Sequence, residues 1–435
     1  MTTSAIVAKF REAAARYPER AALIGPEQSI TYRELERRTA AAAALIADKV
    51  KGNTLALLYP NTPAFAPLFL GALWAGKSVA VLPTLAPPPL LKLMTMEVGA
   101  ELVITSEDFV PRLVEAGVPC WIGDTSGDAD PASVALHELN SDAAVMLYTS
   151  GTTGRPKAVM LSEINILDNI EGCRLATGFD ANQVMLAILP LFHAYGQTVT
   201  LLLPLVTGAT VVIPDRFIPR SILQTIEKHK VSCLVAVPSQ YRLLAKEPIE
   251  IDASSLWLCI AGAERLPEQT AHEFQERFGH PVLQGYGATE ISPVVSLNPP
   301  DANKLGSAGK PLPNLEVTIR DEQDNLLPSG EIGEVCVKGS AVMMGYYRDA
   351  ESTSRKIRDG VLHTGDKGFL DADGFLHLVG RADDLVKVSG EKVYPSEVET
   401  ALETIEGVDE VAVVPFPDEK HGARLHAFLT TKPGA

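Results

Sequence analysis

The chain has 435 residues, 46% of them hydrophobic and 21% charged, with a formal net charge of −16 at pH 7. That length exceeds one compact core, so two or more domains are expected, and the acidic balance without any Lys/Arg run excludes broad contact with nucleic-acid backbones. The five cysteines, Cys120, Cys173, Cys233, Cys259 and Cys336, stand far apart with no C-x-x-C spacing. They predict neither a disulfide framework nor a zinc motif, and a reducing cytoplasmic setting fits them.

The N-terminus lacks the basic end, apolar core and small-residue cleavage site of a signal peptide. Helical periodicity spans Ile6–Tyr17, a strand covers Ile30–Tyr32, and a long alanine-rich helix follows. Strand Thr54–Leu58, helix Thr62–Trp74, strand Ser78–Val81, a helix after Pro87, Pro88 and Pro89, and strand Glu101–Thr105 then alternate, which predicts parallel strands with right-handed crossovers. Residues 118–140 are looser and polar. From Asp142 the alternation resumes, with strands near 143, 159, 184, 209, 233 and 257. Residues 52–76 and 181–214 are long and uncharged enough to raise a membrane span. Internal Pro and Gly residues instead favour buried elements of an α/β core.

Short alternating strands such as Glu316–Ile319 and Glu334–Lys338 make residues 306–378 a small β-rich unit. Gly380–Gly390 reads as a hinge, Ser396 with Glu399 as a capping box, and Val411–Val414 and Leu425–Thr430 as strands of a terminal domain.

Tyr148–Ser162, YTSGTTGRPKAVMLS, carries the sharpest chemical signal. Gly151 and Gly154 allow positive φ and close approach of backbone N–H groups to an anion. Thr149, Ser150, Thr152 and Thr153 add hydroxyl donors, and Lys157 adds a positive charge. With Pro156 before it and Ala158 after it, Lys157 does not sit in a Walker motif. A glycine-rich phosphate loop between two strands is the local expectation; a plain polar hairpin is the bland alternative.

This stretch resembles the phosphate loop of the adenylate-forming enzymes, which comprise acyl-CoA synthetases, nonribosomal peptide adenylation domains and luciferases. The resemblance extends over nearly the whole chain through LPLFHAYG (189–196), AGAERL (261–266), GYGATE (285–290), LHTGD (362–366) and GRADDLVKVSG (380–390). Taken alone, His193 in an apolar segment is more often a satisfied core residue, and a Gly-Asp pair is usually a turn.

The resemblance implies α/β architecture. A large N-terminal domain over 1–380 would hold two doubly wound subdomains, about 1–140 and 141–305, and a β-rich one at 306–380. A hinge at 381–390 and a partial α+β domain at 391–435 would follow. It implies ATP, Mg²⁺ and CoA, or an acyl carrier protein thiol, as cofactor and acceptor.

By resemblance, nucleotide contacts fall on Thr149, Ser150, Gly151, Thr152, Thr153, Gly154 and Lys157, on the adenine-side turn Ala261, Gly262, Ala263, and on Gly285, Tyr286 and Gly287. Tyr286 would stack on adenine, Thr289 would donate to the α-phosphate, Glu290 would hold Mg²⁺, and Asp366 and Arg381 would meet the ribose. His193, Ala194, Gln197, Val237 and Tyr241 would line the acyl pocket, Asp383 would be the hinge and Gly390 would line the thiol tunnel.

Amino-acid-adenylating members of the family carry an acidic residue near here to pair the substrate ammonium; none lies between Ala181 and Pro214, so the resemblance implies a carboxylic acid without an amino group. Fatty-acyl ligases and the bacterial acyl-carrier-protein synthetase branch are most similar, with aryl-acid CoA ligases as an alternative. The family's C-terminal adenylation lysine has no counterpart in context among Lys392, Lys420 and Lys432. That absence suggests truncation, or else a protein that binds ATP and acyl-adenylate without turnover.

Overall fold

The computed structural model describes residues 4–139, 141–149, 156–388, 391–403, 405, 407–418 and 422–431. Two large sheets form its body, and their strand orders show how distant segments are brought together. The seven-stranded sheet runs Gly345–Tyr346, Lys157–Leu161, Val145–Thr149, Ser78–Val81, Thr54–Leu58, Val103–Thr105, Cys120–Ile122. Its last five strands pair in parallel, and the glycine-loop strands Val145–Thr149 and Lys157–Leu161 pair antiparallel with Thr149 opposite Lys157.

The nine-stranded sheet runs Lys310–Pro311, Val294–Leu297, Val282–Gly287, Leu258–Ala261, Cys233–Ala236, Val184–Leu186, Thr210–Val212, Ala21–Ile24, Ser29–Thr31. Sheet membership therefore departs from a simple sequential division near residue 140. Ala21–Ile24 joins the later sheet, with Leu23 opposite Val211, and the hairpin at 145–161 joins the earlier one. Local alternation specifies element type, whereas an edge is chosen by long-range pairing.

The alanine-rich helix Tyr32–Lys49 starts on Thr31, whose Oγ1 accepts from the Glu34 N–H at 3.2 Å. Its small residues let helix Phe65–Trp74 approach closely. At Gly71 an added Cβ would lie 2.9 Å from the Ala42 Cβ and 3.1 Å from the Thr39 carbonyl oxygen. All ten residues of Phe65–Trp74 are buried, so the apolar run at 52–76 is an internal helix and its flanking strand. The run at 181–214 is divided among strand Val184–Leu186, a π-helical turn Tyr195–Leu202, a short helix and strand Thr210–Val212. Among the described residues no helix is long and apolar enough to cross a membrane.

A third sheet orders Glu316–Arg320, Gly333–Lys338 and Val361–Leu370, with Ile357–Arg358 and Leu376–Arg381 both paired to Val361–Leu370. Beyond it come helix Pro395–Glu403 and the antiparallel hairpin Val408–Asp418/Gly422–Thr431. The expected capping box at Ser396 does not form. The helix begins at Pro395, whose fixed φ suits a first helical position. Ser396 Oγ instead donates to the Val379 carbonyl at 2.6 Å, and Glu399 Oε1 accepts from the Val413 N–H at 2.8 Å.

Candidate active site

A cleft of about 1000 Å³ opens between the C-terminal ends of the body strands and the segment around 380–415. Strand Val282–Gly287 delivers Gly285, Tyr286 and Gly287 to its wall. Gly287 is required there because a Cβ would meet the Pro293 carbonyl oxygen at 2.1 Å. The next turn, Thr289–Ile291, presents Glu290, whose Oε1 accepts from the Tyr346 hydroxyl at 2.9 Å.

Across the cleft, Lys157 Nζ donates to Ser352 Oγ at 2.5 Å and lies 3.5 Å from Asp349 Oδ2. Its ammonium also sits 5.1 Å from the centre of the Tyr346 ring.

Asp366 and Arg381 face each other in register on adjacent strands, with Arg381 Nε 3.7 Å from Asp366 Oδ1. The Tyr286 hydroxyl donates to Asp366 Oδ2 at 2.5 Å. Burial raises the Asp366 pKa above its ordinary value, only partly opposed by the Tyr286 hydrogen bond and by the Arg381 and Lys356 charges. Burial, with Asp366 beside it, likewise holds the Tyr286 phenol well above its usual value, so it stays a donor. Lys356 Nζ donates to the Thr364 carbonyl at 2.7 Å, two residues from Asp366 on the same strand.

The cleft thus holds Lys157, Arg265, Arg355, Lys356 and Arg381 against Glu264, Glu290, Asp366, Asp384 and Glu399. Local cations offset the acidic global field where phosphates would lie. Among the described residues Glu290 is one of five carboxylates in the cleft, and a carboxylate beside such cations could hold a hard cation such as Mg²⁺ shared with phosphate oxygens. When bound, that ion neutralises phosphate charge.

Of the residues predicted from sequence, Thr149, Lys157, Ala263, Gly285, Tyr286, Gly287, Glu290, Asp366 and Arg381 come together on this one cleft. Ala263 adopts φ +71°, which turns the chain out of strand Leu258–Ala261, whose last residue is buried. Thr289 shares the Glu290 turn. Ser150 to Gly154 and Gly390 lie outside the described residues, and Asp383 falls in the turn Ala382–Asp384.

The residues assigned to an acyl pocket are not on this cleft. Tyr241 is a core residue: fully buried, edge-on to Phe274 at 4.9 Å, its hydroxyl donating to the Leu234 and Ile260 carbonyls at 2.7 and 3.1 Å. Those bonds pin helix Pro238–Lys246 under two strands and replace the pocket role expected of Tyr241. Val237 caps that helix. Ala194 and Gln197 are also buried, and the Gln197 amide donates to the Leu191 carbonyl at 3.2 Å. His193 keeps a solvent-exposed edge beside Phe192, at 4.4 Å between ring centres, and desolvation by the atoms packed around the rest of the ring lowers its pKa. Gly262 is covered by the Tyr195 ring, 2.8 Å from where a Cβ would be.

Tyr346, Ser352, Arg355 and Lys356 also line the cleft and went unrecognised in the sequence. Tyr346 arrives through its edge strand, opposite Val159 across nearly two hundred residues, so no local spacing announces it. A second cleft of about 940 Å³, between helix Pro238–Lys246 and the C-terminal hairpin, contains an Arg242–Glu410 ion pair and none of the predicted residues.

Residues 10–347 match the family model of the AMP-binding enzyme. A long-chain-fatty-acid–CoA ligase of Salmonella typhimurium is 31% identical over 98% of this chain and 86% of its own length. A feruloyl-CoA synthase of an Amycolatopsis species is 32% identical over 94% of this chain and 84% of its own. Among solved structures, ATP-bound MatB from Rhodopseudomonas palustris superposes with a TM-score of 0.91 at 28% identity, covering 100% of this chain and 90% of that one. The o-succinylbenzoate CoA synthetase MenE from Bacillus subtilis, in complex with ATP and magnesium, gives 0.87 at 30% identity, covering 97% and 89%. The chain belongs to the AMP-binding enzyme family and is an acid–CoA ligase that uses ATP, Mg²⁺ and CoA.

Proposed function

We propose that the acid is a fatty acid, activated as its adenylate in the cleft around Asp366 and passed to CoA. One observation carries this reading: residues 181–214, which lead into and past His193, contain no Asp, Glu, Lys or Arg. A second charged group on the substrate would find no side-chain counter-ion in that segment, and burying it unpaired is costly. The similarity to a long-chain-fatty-acid–CoA ligase supports the same choice.

In this reading Asp366 accepts from the ribose hydroxyls, with Arg381 beside it, and Tyr286 stacks on adenine once its hydroxyl releases Asp366. Lys157, Thr289 and the glycine loop hold the phosphates. The acid carboxylate attacks the α-phosphorus, pyrophosphate leaves, and the thiol of CoA then displaces AMP. Positioning and charge stabilisation account for the rate, with no protein nucleophile. The turn at Asp383 serves as the hinge between the two half-reactions.

An aryl acid is the second reading. Tyr195 covers Gly262, its ring atoms 2.8 Å from where a Cβ would be, and a feruloyl-CoA synthase is among the relatives.

Thermal melting with non-hydrolysable acyl-adenylate analogues separates the two. A ligand at about 100 times its Kd adds roughly 2.7 kcal/mol to the folded state. Stabilisation that grows with alkyl length is expected. An aryl analogue that outperforms every alkyl one replaces the fatty-acid reading with the second.

A further inference from the structure

A three-residue cluster sits apart from the adenylate cleft, on the third sheet. Strands Gly333–Lys338 and Val361–Leu370 register Cys336 opposite His363, and Glu334, two residues before Cys336 and across an irregularity in that register, reaches the same imidazole. Cys336 Sγ is 3.5 Å from His363 Nδ1, and His363 Nδ1 is 3.1 Å from Glu334 Oε2. All three ligand atoms lie within 4.8 Å of one another, and the imidazole is 5% exposed.

These separations match a tetrahedral zinc site. With the sulfur about 2.3 Å and the nitrogen and oxygen about 2.05 Å from the ion, tetrahedral angles place S and N about 3.5 Å apart and N and O about 3.3 Å apart.

The surroundings resemble an orienting shell as well. His363 Nε2 is buried without a hydrogen-bond partner and faces Asp324 Oδ1 at 3.7 Å. Asp324 is itself held by Arg320 at 3.3 Å. The free oxygen of Glu334, Oε1, accepts from the Gly365 N–H at 3.0 Å. A ligating imidazole characteristically offers its second N–H to a carboxylate, and ligating carboxylates are themselves hydrogen-bonded.

We propose that Glu334, Cys336 and His363 form a binding site for one borderline transition-metal cation, Zn²⁺ matching best, with Asp324 orienting the imidazole and the fourth position open to water. Thiolate, imidazole and carboxylate together select against Mg²⁺ and Ca²⁺, which prefer oxygen alone. On binding, the Cys336 thiol gives its proton to solvent. The imidazole stays neutral, carrying its proton on Nε2 toward Asp324, and two anionic ligands balance the dication.

None of the three ligands lines the adenylate cleft. His363 does precede the irregular stretch Thr364–Gly365–Asp366 of strand Val361–Leu370, where the register to Gly333–Lys338 shifts, and Thr364 Oγ1 donates to the Val335 carbonyl at 2.8 Å. An ion here would brace the stretch that presents Asp366.

The test is a titration of the metal-free full chain with Zn²⁺ against a chromogenic chelator, and with Co²⁺ followed by absorbance. The expected result is one equivalent of tightly held Zn²⁺ and a thiolate-to-cobalt charge-transfer band, with C336A weakening zinc at least tenfold and abolishing the band. Should C336A not fold, D324N carries the test, with a loss of roughly tenfold expected from the missing orienting partner. No stoichiometric binding by the folded chain, or binding unchanged in these variants, overturns the proposal.

Discussion

Asp366 shows at a single residue how function and stability pull apart. Its carboxylate is buried beside Tyr286 and Arg381, and burial is the largest influence on it, so its folded pKa lies above the ordinary 3.8. An acid with a raised folded pKa costs stability once pH rises through that value, and costs nothing below the unfolded pKa, where both states are protonated. D366N should therefore raise the apo melting temperature by a few degrees at about pH 7, with the gain fading as pH falls toward and below the carboxylate range. Scanning calorimetry across pH checks this; a gain independent of pH contradicts it.

Lys157 is the second residue-scale case. Its ammonium is already held by Ser352 and Asp349, which places it before any phosphate arrives. K157A should weaken ATP binding by roughly tenfold or more, the loss of one charge-assisted contact, while leaving the fold intact by circular dichroism.

At the scale of elements, periodicity and capping chemistry were legible wherever local rules decide. Strands Thr54–Leu58 and Ser78–Val81 fall where alternation predicts them, and helix Tyr32–Lys49 where the alanine run does. Ser396 was misread because Pro395 offers a competing helix start one residue earlier. Tyr241 was misread because a tyrosine beside a pocket motif looks the same in sequence whether its hydroxyl meets substrate or two buried carbonyls.

Close helix crossing makes its own prediction. At Gly71 a side chain would press on the backbone of helix Tyr32–Lys49. G71V should cost about 1–3 kcal/mol, as overpacking does, visible as a lower urea midpoint. An unchanged midpoint would mean that the two helices can separate without loss.

For the molecule as a whole, sequence motifs named much of the cleft because each is a short local stretch that delivers its own residue: the strand end Gly285–Gly287, Glu290 in the turn after it, and Asp366 within strand Val361–Leu370. What they could not give is how these stretches are assembled. Leu23 pairs with Val211, Tyr346 with Val159, and Cys336 with His363, each across sequence distances that leave no spacing signature. For that reason the scattered cysteines predicted no zinc motif, although one of them joins a ligand-like cluster. The cleft wall is completed by Pro395, Ser396, Glu399, Val413 and Pro415. A bound adenylate should accordingly slow proteolytic cutting within 381–390, read by mass spectrometry; cutting at the same rate with and without ligand contradicts that closure.

The central claim is that the cleft around Asp366 is where the adenylate binds. Calorimetric titration of the 435-residue chain and of D366A with one non-hydrolysable acyl-adenylate analogue tests it most directly. Loss of hydrogen bonds to a carboxylate costs about 1.5–3 kcal/mol, so one-to-one binding by the parent chain and roughly 10- to 150-fold weaker binding by a folded D366A are predicted. Equal affinity in both proteins would place the adenylate elsewhere and contradict the account.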